Sequence, residues 1–154
     1  MAGSAAVKAL RAGLAVDARM RGGSMWPLLR TGDWIRIEPT MTASLSRGDI
    51  AVVHDERGVV AHRVVSVEPL ILRGDRLAAN DPPYDPSALV GRVRALRRGP
   101  LAIDLDGVLG GALSRLSAIV GRYVTRAADA AVFRRVARRS GPCRRLRPDR
   151  GPSD

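Results

Sequence analysis

The stretch Ile50-Ala51-Val52-Val53-His54-Asp55-Glu56-Arg57-Gly58-Val59-Val60-Ala61-His62-Arg63-Val64-Val65 decides how this chain folds. Two β-branched, apolar runs enclose four residues of turn chemistry. Such runs are too short and too rich in valine for a comfortable helix, so the stretch predicts a hairpin, with the second strand continuing to Val67. Reading outward repeats the theme. Arg47-Gly48-Asp49 leads into the hairpin, preceded by a polar loop from Thr40 to Ser46 and by Trp34-Ile35-Arg36-Ile37-Glu38, a strand stopped by Pro39. Earlier still, Leu14, Val16, Ala18 and Met20 alternate with Ala15, Asp17 and Arg19, the period of a half-buried strand. Ala5 to Ala12 is compatible with a short helical turn, and the pattern does not assign it. Downstream, Leu70-Ile71-Leu72 is a short strand closed by Gly74-Asp75. Asn80 to Pro86 is an irregular loop, because its three prolines lack backbone donors. Val90 to Leu96 reads as the last strand before Arg97-Arg98-Gly99-Pro100.

The period changes after Gly107. Leu109, Ala112, Leu113, Leu116, Ile119, Val120, Tyr123 and Val124 recur at helical spacing, with Arg115, Arg122 and Arg126 on the other side. A second helical pattern, Ala127 to Arg139, sets Val132, Phe133, Val136 and Ala137 against four arginines. The expected organisation is an N-terminal segment at 1–13, a small mainly β domain at 14–106, basic amphipathic helices at 107–139 and a disordered tail at 140–154.

Composition limits the possible functions. A chain of 154 residues holds one domain with an appendage. Its 45% hydrophobic content supports a core, but only five residues are aromatic: Trp26, Trp34, Tyr84, Tyr123 and Phe133. Cys143 has no partner cysteine, which excludes an intramolecular disulfide or a cysteine-based metal cluster. The net charge is +11, yet Lys8 is the single lysine, so lysine chemistry beyond residue 8 is excluded. Residues 107–154 carry 11 arginines and three aspartates, so most of the positive charge lies in the helical tail. No apolar run is long enough to span a bilayer. Charges at Lys8, Arg11, Asp17, Arg19 and Arg21 interrupt any signal-peptide core, giving the expectation of a cytoplasmic or peripheral membrane location.

The candidate chemistry centres on Gly22-Gly23-Ser24. Glycines beside a serine let a substrate approach the backbone and leave N–H groups for an oxyanion, although such tripeptides are also ordinary turn chemistry. A serine nucleophile needs an adjacent base. Lys8 lies upstream, His54 sits beside Asp55 and Glu56 at a strand end, and His62 is flanked by apolar strand residues. Pattern alone favours an ordinary strand histidine at 62 over a base. Asp75 and Asp81 each could orient an imidazole, and each is also a common turn residue.

Taken together these segments resemble the S24/S26 family of serine peptidases, the signal peptidase I and LexA-like group. Gly23-Ser24-Met25-Trp26-Pro27 with Gly32-Asp33 looks like its nucleophile box. Arg47 to Val53 looks like its second box, Ala61-His62-Arg63-Val64-Val65 its base box, and Arg73-Gly74-Asp75 through Asn80-Asp81 its Gly-Asp-Asn box. Gly91-Arg92-Val93 is similar to the closing strand. The five segments occur in the family's order over residues 14 to 97. Most bacterial members use a lysine base; the archaeal and endoplasmic-reticulum branch has histidine there, and this chain resembles that branch.

The resemblance implies a small LexA/signal-peptidase-like β domain and a serine endopeptidase without a cofactor or metal. It would cleave a peptide or precursor protein after a small residue. Carried onto this sequence, it implies Ser24 as nucleophile, His62 as general base, Asp81 as first choice and Asp75 as second choice for the orienting acid. The Ser24 N–H would be an oxyanion donor, in a loop with Gly22 and Gly23. Two departures stand out: relatives often place a serine where Gly22 stands, as a second donor, and signal peptidases usually carry a transmembrane helix. The basic segment 107–139 could instead contact an anionic membrane peripherally. The competing readings are a weak or inactive peptidase-like binding protein, and a basic module for nucleic acid or membrane surfaces. No specific nucleic-acid partner is expected, since no base-stacking aromatic array, helix-turn-helix or zinc motif is present.

Overall fold

A computed structural model describes residues 3–106 together with Ala112, Leu116, Ile119 and Val120. The expected second helix and the tail at 140–154 lie outside the described residues. So does most of the first helix, although those four positions have helical backbone. The described elements are α1 (Ser4–Arg11), β1 (Val16–Arg19), β2 (Trp34–Glu38), β3 (Ile50–Asp55), β4 (Gly58–Ser66), β5 (Ile71–Arg73), β6 (Leu89–Arg98) and β7 (Leu101–Asp104). Short 3₁₀ turns occupy Thr42–Ser44 and Pro86–Ala88. The protein is mainly β, and all strand pairs are antiparallel in the order β1-β2-β6-β3-β4-β5, with β7 on β6.

The hairpin is the centre of this sheet. Ala51 faces His62 and Asp55 faces Gly58 across the β3–β4 pair. β3 is buried on both sides, which explains why Ile50-Ala51-Val52-Val53 is uninterruptedly apolar. Ile50 and Val52 enter one core cluster with Leu10, Met25, Leu29, Ile37 and Leu96. Ala51 and Val53 enter a second, with Leu45, Val64, Leu70 and Leu72. Register shifts at Arg36/Ile37, Val52/Val53 and Val64/Ser66 bend the sheet between these two clusters.

One segment left unassigned by the sequence is settled, and two details differ from the expectation. Ala5 to Ala12, compatible with a short helical turn, belongs largely to α1, because Val7 and Leu10, three apart, form a buried stripe on the sheet. The first strand begins only at Val16, leaving Leu14 exposed. A further strand, β7, follows the expected last one: Gly99 and Pro100 form a two-residue connection, with Arg98 facing Leu101. Its residues are mostly exposed, so apolar alternation did not betray it. No helix among the described residues is long and apolar enough to cross a membrane.

Candidate active site

Ser24 sits in the turn that leaves β1. The turn is anchored from below by Met25, Leu28 and Leu29, all buried in the larger core cluster. Hydrogen bonds from Trp26 N–H to Gly23 O (3.2 Å) and from Leu29 N–H to Met25 O (3.0 Å) shape it. Gly22 adopts φ +88°, which disfavours any side chain there. Its carbonyl accepts a bond from the Thr31 hydroxyl at 2.9 Å. Among the described residues no acceptor takes the Ser24 N–H, which keeps that donor available beside the hydroxyl.

The far end of the loop is held by Asp33, a buried carboxylate. It accepts from the Arg30 N–H (2.8 Å) and from Arg98 Nε and Nη2 (2.9 and 2.6 Å); Arg98 also donates to Leu28 O at 2.8 Å. Burial alone would raise the Asp33 pKa, but the bonds from Arg98 and the Arg30 N–H outweigh it and hold the carboxyl below its ordinary value. Asp33 and Arg98 thus fasten the loop that carries Ser24 to β6. The Gly32-Asp33 turn was visible in the sequence. Arg98 was not, being one of 25 arginines separated from its partner by 65 positions.

β4 carries His62 into contact with Ser24. The imidazole Nε2 lies 2.9 Å from Ser24 Oγ, and Nδ1 lies 2.6 Å from Asp81 Oδ2. A carboxylate only accepts, so Nδ1 carries the proton donated to Asp81. That leaves Nε2 to accept from the Ser24 hydroxyl. His62 is buried, with 7% of its surface exposed, so bulk water competes little for these bonds.

The loop after β5 puts Asp81 in place. It folds back along the strand, with Asp81 N–H donating to Leu72 O (2.9 Å) and Tyr84 N–H to Leu70 O (2.8 Å). The Tyr84 hydroxyl donates to Asp81 Oδ2 at 3.5 Å. Burial, followed by the nearby Asp81 charge, raises the Tyr84 pKa and keeps that hydroxyl a donor. In the sequence Tyr84 is one of five aromatics and lies in an irregular proline-rich loop, with nothing local to mark its bond to Asp81.

Asp75, the second choice for the orienting acid, is placed elsewhere. Its carboxylate takes Arg63 Nε and Nη2, both at 2.6 Å, while Arg63 Nη1 donates to Gly48 O at 2.8 Å. Asp81, not Asp75, is therefore the carboxylate on His62. Alternation along β4 explains the division, turning His62 and the next residue, Arg63, to opposite faces.

Between them stands Gly74, which sequence reading treated as a turn residue. A Cβ built on it would lie 2.9 Å from Ser24 O, 3.0 Å from Ser24 Cβ and 3.1 Å from His62 Nε2. The adjoining Arg76 N–H donates to Ser24 O at 2.8 Å, tying the two loops together. The other candidate bases lie apart from this cluster: Lys8 is exposed on α1, and His54 pairs with Val59 near the hairpin turn. Among the described residues no group of three or more His, Cys, Asp or Glu is arranged to hold a metal ion.

Chemically the arrangement contains a hydroxyl, a base in contact with it, an acid oriented on that base and a backbone N–H beside the hydroxyl. Comparison with known proteins adds nothing to this geometry: no protein-family model, no curated protein and no solved structure matches the chain.

Proposed function

We propose that this protein is a serine endopeptidase of signal-peptidase type, acting on a peptide or precursor protein. The observation that carries the reading is the continuous Ser24–His62–Asp81 hydrogen-bond chain, at 2.9 and 2.6 Å, assembled from three separate segments. The ordered sequence resemblance to the S24/S26 peptidases supports it independently.

In this reading Ser24 Oγ attacks the scissile carbonyl while His62 Nε2 takes the hydroxyl proton. Asp81 holds the imidazole by its Nδ1–H and stabilises the imidazolium that forms. The developing oxyanion accepts from the Ser24 N–H. His62 then returns the proton to the leaving amine, and an ester on Ser24 remains. Water, deprotonated by the same imidazole, attacks that ester; the acyl–Oγ bond breaks, the imidazolium returns the proton to Ser24 Oγ and the acid is released. Gly22 contributes no side-chain donor. Loss of one oxyanion donor costs about 10²–10³ in rate, so turnover slower than in serine-bearing relatives is expected.

The test is covalent labelling by a fluorophosphonate probe. The wild-type chain should label at one site, Ser24→Ala should not label at all, and His62→Ala should label at a small fraction of the wild-type rate. Undiminished labelling of Ser24→Ala would overturn the assignment.

A further inference from the structure

Beside the Ser24 hydroxyl stands a backbone donor for an oxyanion, the Ser24 N–H, and Gly22 has no side chain to add a second. The surroundings of Ser24 show what else is within reach. His62 Nε2 occupies one side of the hydroxyl, Gly74 approaches closely from the end of β5, and Met25 is buried beneath. Gly22 and Gly23, by contrast, are exposed. A substrate carbonyl therefore reaches Ser24 across the bare edge that these two glycines leave.

Arg76 stands at that edge. Residues 74–77 form a tight turn, closed by Leu77 N–H donating to Gly74 O at 2.9 Å. Within it Asp75 is buried and Arg76 is exposed. The backbone of Arg76 is fixed against the Ser24 loop, because its N–H donates to Ser24 O at 2.8 Å. Its side chain lies back over the glycines, with Nη1 3.8 Å from the position that a Cβ on Gly23 would take. Gly23 is bonded directly to Ser24, so this edge of the guanidinium borders the N–H at which an oxyanion forms. A guanidinium carries five N–H donors, so one edge can serve the oxyanion while the others keep their own partners.

We infer that Arg76 is a catalytic residue whose Nη1–H joins the Ser24 N–H in holding the oxyanion, an inference that rests on the peptidase reading. As the bond from Ser24 Oγ to the carbonyl carbon forms, the carbonyl double-bond pair moves onto oxygen. The same pair returns when the amine leaves. Arg76 donates a hydrogen bond to that oxygen and gives up no proton, since His62 carries the proton transfers. A cation at the end of a long exposed side chain is held less firmly than a short hydroxyl on the loop. It therefore recovers only part of what a donor at residue 22 would supply, in keeping with slow turnover.

Fluorophosphonate kinetics on the full chain test it, with the limiting labelling rate and the half-saturating probe concentration measured separately. Arg76→Gln removes the charge but keeps the backbone N–H on Ser24 O. Its limiting rate should fall about 100-fold, the lower end for one oxyanion donor, with half-saturation unchanged, because this donor is engaged only as charge develops. Arg76→Lys, which keeps the charge without the planar fork, should lose only about tenfold. Arg76 is exposed, so the urea midpoint of both variants should stay at the wild-type value. Arg11→Gln, on α1, should label as wild type does.

Labelling that Ser24→Ala abolishes but that Arg76→Gln retains within about threefold of wild type would overturn the role of Arg76 and leave the peptidase reading standing. A loss confined to half-saturation would overturn it too, because the side chain would then bind the probe without acting on the developing charge. Arg76→Lys labelling no faster than Arg76→Gln would do the same, since the charge would not matter. Undiminished labelling of Ser24→Ala would overturn both the peptidase reading and the inference that rests on it.

Discussion

Replacing Gly74 by alanine adds one methyl group at the most crowded point of the Ser24 cluster. That methyl would meet Ser24 O at 2.9 Å, Ser24 Cβ at 3.0 Å and His62 Nε2 at 3.1 Å. Ordinary contact between such atoms begins at ~3.5 Å, so Ser24 must retreat by about half an ångström and His62 by a few tenths. The serine cannot yield alone, because its carbonyl is held by Arg76 N–H and Met25 beneath it is fully packed. The Ser24–His62 bond starts at 2.9 Å, and a shift of that size takes it to the edge of hydrogen-bond range. Misplacement of reacting groups by about 1 Å costs on the order of 10²-fold in rate. Overpacking should also cost about 1–3 kcal/mol of stability.

Gly91→Ala supplies the control. A Cβ there would lie 2.6 Å from Glu38 O and 2.9 Å from Ile37 Cγ2, an equally severe clash at the β2–β6 pairing. Fluorophosphonate labelling rates, normalised to folded protein by circular dichroism, should fall about 100-fold in Gly74→Ala and change little in Gly91→Ala. Labelling of Gly74→Ala within threefold of wild type would refute the argument that close approach at this glycine holds the serine and histidine in register.

The two aspartates separate by readout. Asp81→Asn should reduce labelling on the order of 10²–10⁴-fold with a modest change in urea midpoint, since it removes the acceptor that fixes the imidazole tautomer. Asp75→Asn should instead lower stability by about 3 kcal/mol in urea denaturation, because Arg63 would be left buried without its charge partner. The Asp33–Arg98 link predicts a pH dependence. The folded-state pKa of Asp33 is lowered, so its contribution is complete above the unfolded carboxylate pKa of about 3.9 and disappears as pH falls through the folded value. Thermal denaturation should therefore show Asp33→Asn less stable than wild type at pH 7, with the gap narrowing as pH falls below the unfolded carboxylate pKa of about 3.9. A difference that does not narrow at all in acid, while both proteins remain folded, would count against the link.

Much of the sheet was readable along the chain because each strand announces itself locally. The valine-rich hairpin at 50–65, Trp34–Glu38 and the run beginning at Val90 all combine β-branched residues with Gly, Asp or Pro at their ends. β7 escaped because its exposed face offers no alternation and its entry, Gly99-Pro100, resembles a terminus. α1 went unassigned because its buried stripe contains only Val7 and Leu10.

The residue types at the candidate site were also legible: one serine directly after two glycines and a short roster of bases, narrowed further by the absence of lysine beyond residue 8. The choice among partners was not. Ser24 and His62 lie 38 residues apart and His62 and Asp81 another 19, while Asp75 and Asp81 occupy similar turn-forming contexts. Sequence by itself determined which chemistry was available and that the chain would form a sheet. Only the tertiary structure decided which carboxylate serves His62 and that Gly74 must be bare. Those outcomes depend on strand register, on the face toward which each successive β4 residue points, and on how the loop after β5 bonds back to its own strand; all three are set by packing between segments distant in sequence.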